Sequence, residues 1–318
     1  ESAVRGGLGD DPAGEQCRVD GRPVLGEEAD VGEAGEALER GRDPRLRPRA
    51  HRRGAHPVDD DGAVRAHREP ALGLEQPDEA LQTHRVAGGH DDGVIGAPIA
   101  ATATMVTPGH ERWHPQPDFY YVPGGGPLLD MGPYYIHALV TLLGPVEAVI
   151  GAASRLRTER TIGSGPREGE SIPVTTDTHV TGVLVHESGV LSTLVMSFDA
   201  VATAAHPIEI HGTAGSLAVP DPNRFDGDVR LHRLGGESWE TLPVTGGYEQ
   251  AGRGIGLQDM AVRGADLRAS GELGQHVLEV MNGVLEAAAS GTRVEITSTV
   301  ERPAAVPLTA ADGAVVAG

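Results

Sequence analysis

The sequence predicts an α+β fold in which an open, mainly antiparallel sheet carries helices on one face. Several β-rich segments follow one another between residues 98 and 244 with short connections, which favours antiparallel pairing. Two of these segments are separated only by Glu187–Gly189, a spacing typical of a β-hairpin. Two longer segments, Leu128–Leu143 and Gly271–Ala289, have helical character. We therefore expect one sheet with both helices on the same face.

The predicted strands are short runs rich in apolar and β-branched residues, bounded by glycine, proline or polar residues. They span Pro98–Val106, Val146–Ser154, Val174–His186, Val190–Phe198, Ile208–His211, Ser216–Val219, Val229–Leu234 and Trp239–Val244. We expect about six strands in a single sheet.

The two predicted helices end at clear stop signals. The first ends at Gly144-Pro145 and the second at Ser290-Gly291. In the second helix, apolar residues recur at spacings of three and four, which predicts a stripe that faces the core. These residues are Leu273, Val277, Val280, Val284 and Ala288.

Residues 1–90 differ sharply in composition from the rest of the chain. They contain no Ile, Phe, Tyr, Trp or Met, and all ten aromatic residues lie at or after Trp113. Scattered Val and Leu residues are not expected to offset the roughly 1–2 kcal/mol per residue that backbone ordering costs. We predict that residues 1–90 are poorly ordered, with short helices at most around 27–40 and 79–86. Residues 91–318 are predicted to form the folded domain.

Charge and composition exclude several classes of protein. The 318 residues include 26 basic and 46 acidic ones, for a formal net charge of −20, which disfavours binding to nucleic acid. No apolar run of about 20 residues and no apolar leader is present, so we expect a soluble, cytoplasmic protein without a membrane partner. The single cysteine, Cys17, has no partner for an intrachain disulfide.

The densest group of chemically active residues lies between Gly124 and His137. A run of three glycines opens a helix on which Asp130 and Tyr134 are four residues apart and share a face. A carboxyl beside a phenol is suited to moving protons to or from a substrate hydroxyl or carbonyl. The alternative is that Asp130 caps backbone amides of the helix and that the tyrosines pack in the core.

Three further residues are candidates for binding a substrate. Trp113 and Tyr120 precede the glycine run and are suited to covering the face of a sugar or aryl ring, unless they simply pack. His276 on the last helix is a candidate for facing the substrate, with a structural hydrogen bond as the alternative. His110, Glu111 and His114 match no zinc spacing, and we expect no metal site.

Four segments in order carry a family resemblance. They are Asp92-Gly-Val-Ile-Gly-Ala-Pro98, Trp113 through Gly132, Ile208-Glu-Ile-His-Gly-Thr-Ala-Gly-Ser-Leu217 and Ser270 through Met281. From about residue 91 to residue 307, the chain resembles the C-terminal domain of the Gfo/Idh/MocA oxidoreductases. The resemblance implies an oxidoreductase that uses NAD or NADP and transfers a hydride to or from a sugar-like or diol substrate. It also implies a homo-oligomer formed through the open sheet.

The resemblance assigns roles to individual residues. Tyr134 stands where many members have histidine, as in the branch that includes glucose-fructose oxidoreductase and dihydrodiol dehydrogenase. The resemblance implies that Tyr134 transfers the proton and that Asp130 orients or polarises the substrate. His137 stands where members have an acid and inherits no role.

Two parts of the family pattern are not recognisable in this sequence. Gly6-Gly-Leu-Gly9 lacks the third glycine and the preceding strand of a Rossmann fingerprint. All 26 basic residues are arginines, so the family's catalytic lysine is missing. Either residues 1–90 are a Rossmann region translated in a wrong frame, or a genuine flexible arm is fused to the domain. We expect this chain to bind NAD(P) weakly or not at all and to show no dehydrogenase turnover. The alternative function is a non-catalytic sheet domain for oligomerisation or carbohydrate binding.

Overall fold

The computed structural model describes residues 93–248, 252–264 and 267–309. The predicted low order of residues 1–90, with its two short helices, lies outside these residues. The described residues form an α+β structure with a large, mostly antiparallel open sheet, which confirms the predicted fold class. Within this part of the chain, no helix is both long enough and apolar enough to cross a membrane.

Nine of the eleven described strands form one sheet in the order β10-β9-β8-β7-β1-β6-β5-β2-β11. The other two, β3 and β4, pair with each other. The strands are β1 (Pro98–Val106), β2 (Val146–Ser154), β3 (Glu159–Thr161), β4 (Ser171–Pro173), β5 (His179–His186), β6 (Leu191–Ser197), β7 (Ile208–Gly212), β8 (Gly215–Val219), β9 (Arg230–Arg233), β10 (Glu240–Thr241) and β11 (Val294–Glu295). The sheet is larger than the predicted six strands because short strands extend both of its edges.

One strand pair in the sheet is parallel. β1 lies between β6 and β7, with Thr102 opposite Thr193 of β6 in parallel register and opposite Glu209 of β7 in antiparallel register. Parallel strands end at the same edge of a sheet, so the segments that follow β1 and β6 emerge side by side. The backbone N–H of Thr107, just after β1, donates to the Ser197 carbonyl at 2.9 Å.

The segment 174–178 is not part of a strand, contrary to the prediction of a strand over Val174–His186. The N–H of Val174 donates to the Thr158 carbonyl at 2.8 Å, and that of Thr175 donates to the Tyr121 carbonyl at 2.7 Å. These bonds join residues 174 and 175 to the segments around 158 and 121, whereas Thr178 is still bonded to the sheet through Ser154 and Phe198. The predicted hairpin at 187–189 is confirmed, since β5 and β6 pair antiparallel on either side of it.

Three α-helices are described: α1 (Pro127–Leu143), α2 (Ile255–Arg263) and α3 (Gly271–Ser290). His186 of β5 lies with Nδ1 2.8 Å from the carbonyl oxygen of Gly144, at the end of α1. Gly182, on the same side of β5, lies against Val284 of α3. The two helices named in the sequence analysis therefore cover one face of the sheet, as predicted. The nine-residue α2 was not predicted from the sequence.

The core lies between this face of the sheet and the two long helices. Most of the predicted stripe on α3 is buried, namely Leu273, Val277, Val280 and Val284, with Ala287 rather than Ala288 as its last fully buried member. The Ser270 hydroxyl caps α3 by accepting the Leu273 N–H at 3.2 Å. Gly291, in the left-handed conformation, ends the helix.

We expect Gly151→Ala to lower the free energy of unfolding by about 1–3 kcal/mol, because β2 approaches α3 too closely for a methyl group. A Cβ atom on Gly151 would lie 2.2 Å from the Val284 carbonyl oxygen. Gly274→Ala on α3 is the control, since no atom lies within 4 Å of that position and alanine favours helix by up to about 1 kcal/mol. Urea denaturation of both variants is the measurement. Equal stability of the two variants would contradict the close approach.

Candidate functional site

A cleft of about 1440 Å³ lies beside the first half of α1. Its walls come from the end of β1, from the short 3₁₀ helices His110–Arg112 and Asp118–Tyr121, from α1 and from the start of α3. Four of the five residues predicted from sequence line this cleft: Trp113, Tyr120, Asp130 and Tyr134. The structure therefore brings the predicted carboxyl, phenol and aromatic wall to one place.

The glycine run fixes the start of α1 by close packing against the chain itself. Gly126 caps the helix with φ of 93°, a backbone conformation that favours glycine, and Pro127 is the first helical residue. A Cβ atom on Gly125 would lie 2.3 Å from the Phe119 carbonyl oxygen, and one on Gly126 would lie 2.8 Å from that of Asp177. Asp130 comes in the first turn that follows, and no side chain caps this end of the helix. The N-cap position is thus occupied by Gly126 and not by Asp130.

Asp130 faces a histidine that sequence reasoning did not select for the site. Its Oδ2 atom lies 3.4 Å from His110 Nδ1, and 27% of the Asp130 side chain is exposed. Burial raises the pKa of Asp130 to about 6 and lowers that of His110 to about 4. At neutral pH an ionised carboxylate therefore faces a neutral imidazole. A carboxyl with a pKa near 6 exchanges its proton in the range that general acid–base chemistry requires.

His110 is held by aromatic rings on several sides. Its ring centroid lies 4.4 Å from that of Phe198, 4.7 Å from that of Tyr120 and 5.3 Å from that of Trp113. Phe198 follows β6 directly, so this contact depends on the parallel pairing of β1 with β6. No local sequence signal joins His110 to Asp130, since the two residues lie twenty positions apart on different elements.

The Tyr121 hydroxyl, together with a buried ion pair between Glu111 and Arg160, holds the backbone of His110 in place. The Tyr121 hydroxyl accepts the His110 N–H at 3.0 Å and donates to the Glu111 carboxylate. That carboxylate lies 3.0 Å from Nη1 of Arg160, which is also buried. Burial and the neighbouring Glu111 raise the pKa of Tyr121, so its hydroxyl remains a donor at all physiological pH values.

Tyr134 lies one turn beyond Asp130 on α1, lines the cleft and packs partly against the core. Its neighbour Tyr135 is buried, and the Tyr135 hydroxyl donates to Asp221 at 3.1 Å. His137 also lines the cleft, and burial lowers its pKa to about 4. Its Nε2 atom is buried without a hydrogen bond to any described residue.

His276 is not brought to the cleft. It is fully buried, and its Nε2 accepts the Val146 N–H at 3.0 Å, while Nδ1 lies 3.1 Å from the Ser298 carbonyl oxygen. Because Nε2 accepts, the neutral ring carries its proton on Nδ1. Both nitrogens therefore hold the segments around α3 together, and the predicted position beside a substrate is not observed.

The glycine run does not fit the pyrophosphate of a dinucleotide. Such a group needs free amides at a helix N-terminus and room beside them. The N–H of Gly126 instead donates to the Tyr120 carbonyl at 2.8 Å, and that of Gly125 donates to the Val122 carbonyl at 2.8 Å. Backbone carbonyl oxygens also pack against Gly125 and Gly126, whereas Gly124 has open space beside it and lines the cleft. The described residues also contain no group of three side chains suited to a metal ion.

We expect Asp130→Asn to stabilise the folded protein at pH 7.5 by about 1–3 kcal/mol and to leave stability unchanged near pH 4. The raised pKa means that folding favours the protonated carboxyl, so the stabilising contribution is complete below about pH 4. It is lost as the pH rises through about 6. Thermal unfolding at both pH values is the measurement.

The matched control for this prediction is Asp118→Asn. Hydrogen bonds from Arg167 lower the pKa of Asp118, so the same chemical change should give no gain at pH 7.5. Equal changes in stability for the two substitutions would contradict the raised pKa of Asp130. A gain in stability for Asp130→Asn that does not depend on pH would contradict it as well.

Comparisons with known proteins agree with this architecture. The apo form of levoglucosan dehydrogenase is similar with a TM-score of 0.55 and 20% identity over 70% of this chain and 66% of that one. Its complex with NADH and L-sorbose has a TM-score of 0.54 and 20% identity over 69% of this chain and 65% of that one. An NAD binding oxidoreductase from Klebsiella pneumoniae has a TM-score of 0.51 and 19% identity over 71% of this chain and 65% of that one. The chain thus spans just under two thirds of the length of these proteins.

At this level of identity the likeness to solved structures is one of fold. No curated protein matches the chain. A family model, the GFO/IDH/MocA C-terminal domain, matches residues 86–218, a range that includes β1, α1 and the cleft residues from His110 to His137. Residues 86–218 are therefore similar to the GFO/IDH/MocA C-terminal domain, as the sequence motifs predicted.

Proposed function

We propose that the cleft is the substrate site of an oxidoreductase that uses NAD or NADP and acts on a sugar-like or diol substrate. The observation that carries this proposal is the pairing of Asp130, whose carboxyl has a pKa of about 6, with Tyr134 one helical turn away in the same cleft. Fold similarity to a levoglucosan dehydrogenase crystallised with NADH and L-sorbose supports the class of cofactor and substrate.

The residues of this chain divide the work at the substrate. The Tyr134 hydroxyl exchanges a proton with the hydroxyl of the carbon that is oxidised. The Asp130 carboxylate accepts a hydrogen bond from that hydroxyl or from the neighbouring one, and so fixes the orientation of the substrate. A diol or a sugar has the neighbouring hydroxyl that this role can use. Trp113 and Tyr120 cover the apolar face of the ring. The nicotinamide supplies the hydride chemistry when it is bound.

We propose that this chain binds NAD(P) weakly and lacks turnover, and that its cleft binds the substrate alone. This proposal rests on the missing lysine and on the incomplete glycine fingerprint at Gly6-Gly-Leu-Gly9. A chain with residues 1–90 restored in frame would regain both cofactor binding and turnover.

We expect Tyr134→Phe to lower turnover about 10²–10⁴-fold in the frame-corrected chain, because it removes the proton-transferring hydroxyl, and to leave nicotinamide binding nearly unchanged. NADH fluorescence measures binding, and absorbance of the reduced nicotinamide measures turnover with levoglucosan and L-sorbose as probes. Tyr135→Phe is the control, since it loses the bond to Asp221 and should retain activity. Full activity of Tyr134→Phe would refute the assignment, and tight NADH binding by the uncorrected chain would refute the proposal for residues 1–90.

A second proposal concerns the uncovered face of the sheet. Opposite the helices, Ile150 pairs with Val183 and Val185 pairs with Leu191 across adjacent strands. Ile150 and Leu191 are each 48% exposed. A contiguous apolar patch of this kind is typical of an interface. We infer that this face joins copies of the chain in a homo-oligomer, which holds for both the enzyme and the non-catalytic alternative.

We expect Leu191→Glu to convert the oligomer to smaller species, because it would bury a charge in the contact between copies. Leu156→Glu is the control, since Leu156 is 89% exposed and lies outside the patch. Size-exclusion chromatography with light scattering measures the mass of both variants. A monomeric wild-type chain would rule the interface out. Titration with sugars and NADH separates the enzyme from the scaffold, because a scaffold for oligomerisation requires neither ligand.

A further inference from the structure

We propose that His110 is the positioning residue for Asp130, with its Nδ1–H donating to Oδ2 of the carboxylate so that Oδ1 remains available to the substrate hydroxyl. This inference rests on the proposed function, which gives the carboxylate its substrate. It adds a residue to the site that neither the sequence motifs nor the role of Tyr134 requires.

The geometry of the pair is the first support. His110 Nδ1 lies 3.4 Å from Asp130 Oδ2, is buried and makes no hydrogen bond with any described residue. A buried ring nitrogen without a partner is costly, and the carboxylate is the acceptor placed to relieve that cost. Contacts of this kind are often long before a substrate binds and shorten when it does. The two atoms are already within hydrogen-bonding distance, so closing this contact requires the imidazole and the carboxylate to turn toward each other as well as to approach.

The protonation states favour the same arrangement. The neutral imidazole carries one proton, and the negative charge of Asp130 favours the tautomer with that proton on Nδ1, which faces it. A neutral donor stabilises the carboxylate without becoming an acid that competes with Tyr134 for the substrate. The described residues bring no third ligand that would turn the pair into a metal site.

The support behind His110 explains why its ring stays in place. The rings of Phe198, Tyr120 and Trp113 restrict its rotation, and the Tyr121 hydroxyl holds its backbone N–H. Positioning residues act only when their own rotamer is locked by packing and by further hydrogen bonds. Both conditions are met here.

Other titratable groups surround the pair and must be separated from it. Glu111 and His114 lie beside His110, with electrostatic influence on it. Tyr134 and His137 share the helix of Asp130, and the facing wall carries Asp221, Arg224 and Arg253. A test of the contact therefore has to follow the Asp130 carboxyl itself.

The experiment follows the Asp130 carboxyl by ¹³C NMR titration of the full chain, with the resonance assigned by its loss in Asp130→Asn. In His110→Phe, which keeps a ring among the aromatic neighbours, the carboxyl should bind its proton about tenfold more tightly because the donor to the ionised form is gone. His110→Asn restores a donor and should bring the titration back toward that of the wild type. His114→Phe, a change in the same cluster away from Asp130, should leave it unchanged.

A second measurement covers the case in which His110→Phe does not fold. Tyr121→Phe removes the hydroxyl that holds the His110 backbone, and it should shift the Asp130 titration in the same direction by a smaller amount. Unchanged titration of Asp130 in both variants, or equal shifts in His110→Phe and His110→Asn, would overturn the positioning role.

Sugar binding separates this inference from the proposed function. Saturation-transfer NMR with L-sorbose and levoglucosan should show weaker binding in His110→Phe and recovery in His110→Asn. If the Asp130 titration shifts as expected but the wild type binds neither sugar nor a simple diol, the proposed function fails and the contact between His110 and Asp130 stands. If the wild type binds sugar and the titration does not move, the positioning role fails alone.

Discussion

The buried guanidinium of Arg160 joins three segments that are far apart in sequence. From β3 it donates to the Pro108 carbonyl at 3.0 Å and to the Phe198 carbonyl at 2.9 Å, and it pairs with Glu111 and Asp199. A buried charge needs partners of opposite charge and hydrogen-bond acceptors, and through its two Nη atoms this one ties together the segments that follow β1 and β6. The position of His110, and with it one wall of the cleft, depends on this group.

The parallel pairing of β1 and β6 is what makes such a junction possible. Both strands end at the same edge of the sheet, so the backbone leaving β1 and the backbone leaving β6 run close enough to share one cation. In a fully antiparallel order, one of the two segments would emerge at the opposite edge. The single parallel pair in the described sheet thus has a consequence for the site as well as for the fold.

The sequence predicted those features that depend on neighbours in the chain. The β5–β6 hairpin, the ends of α1 and α3, and the shared face of Asp130 and Tyr134 all rest on spacings of a few residues, where turn chemistry and helical periodicity decide the outcome. Features set by distant contacts were not predicted. The contact of His110 with Asp130 spans two elements, and β5 begins only at His179 because backbone groups of distant segments bind residues 174 and 175. His276 carries no local mark that distinguishes a buried hydrogen-bonding role from a ligand-facing one.

The proton affinity of the Asp130 carboxyl depends on how far the cleft excludes water. Burial alone raises the pKa of Asp130, with no neighbouring carboxylate among the causes. Beyond Tyr134 on α1, His137 also lines the cleft, and its own lowered pKa keeps it uncharged at neutral pH. An acid at that position would have added a second negative charge along the same helix face and raised the proton affinity of Asp130 further. With a neutral ring there instead, the proton affinity of Asp130 responds mainly to what fills the cleft. A substrate that displaces water from the cleft therefore changes the proton affinity of the Asp130 carboxyl as the substrate binds.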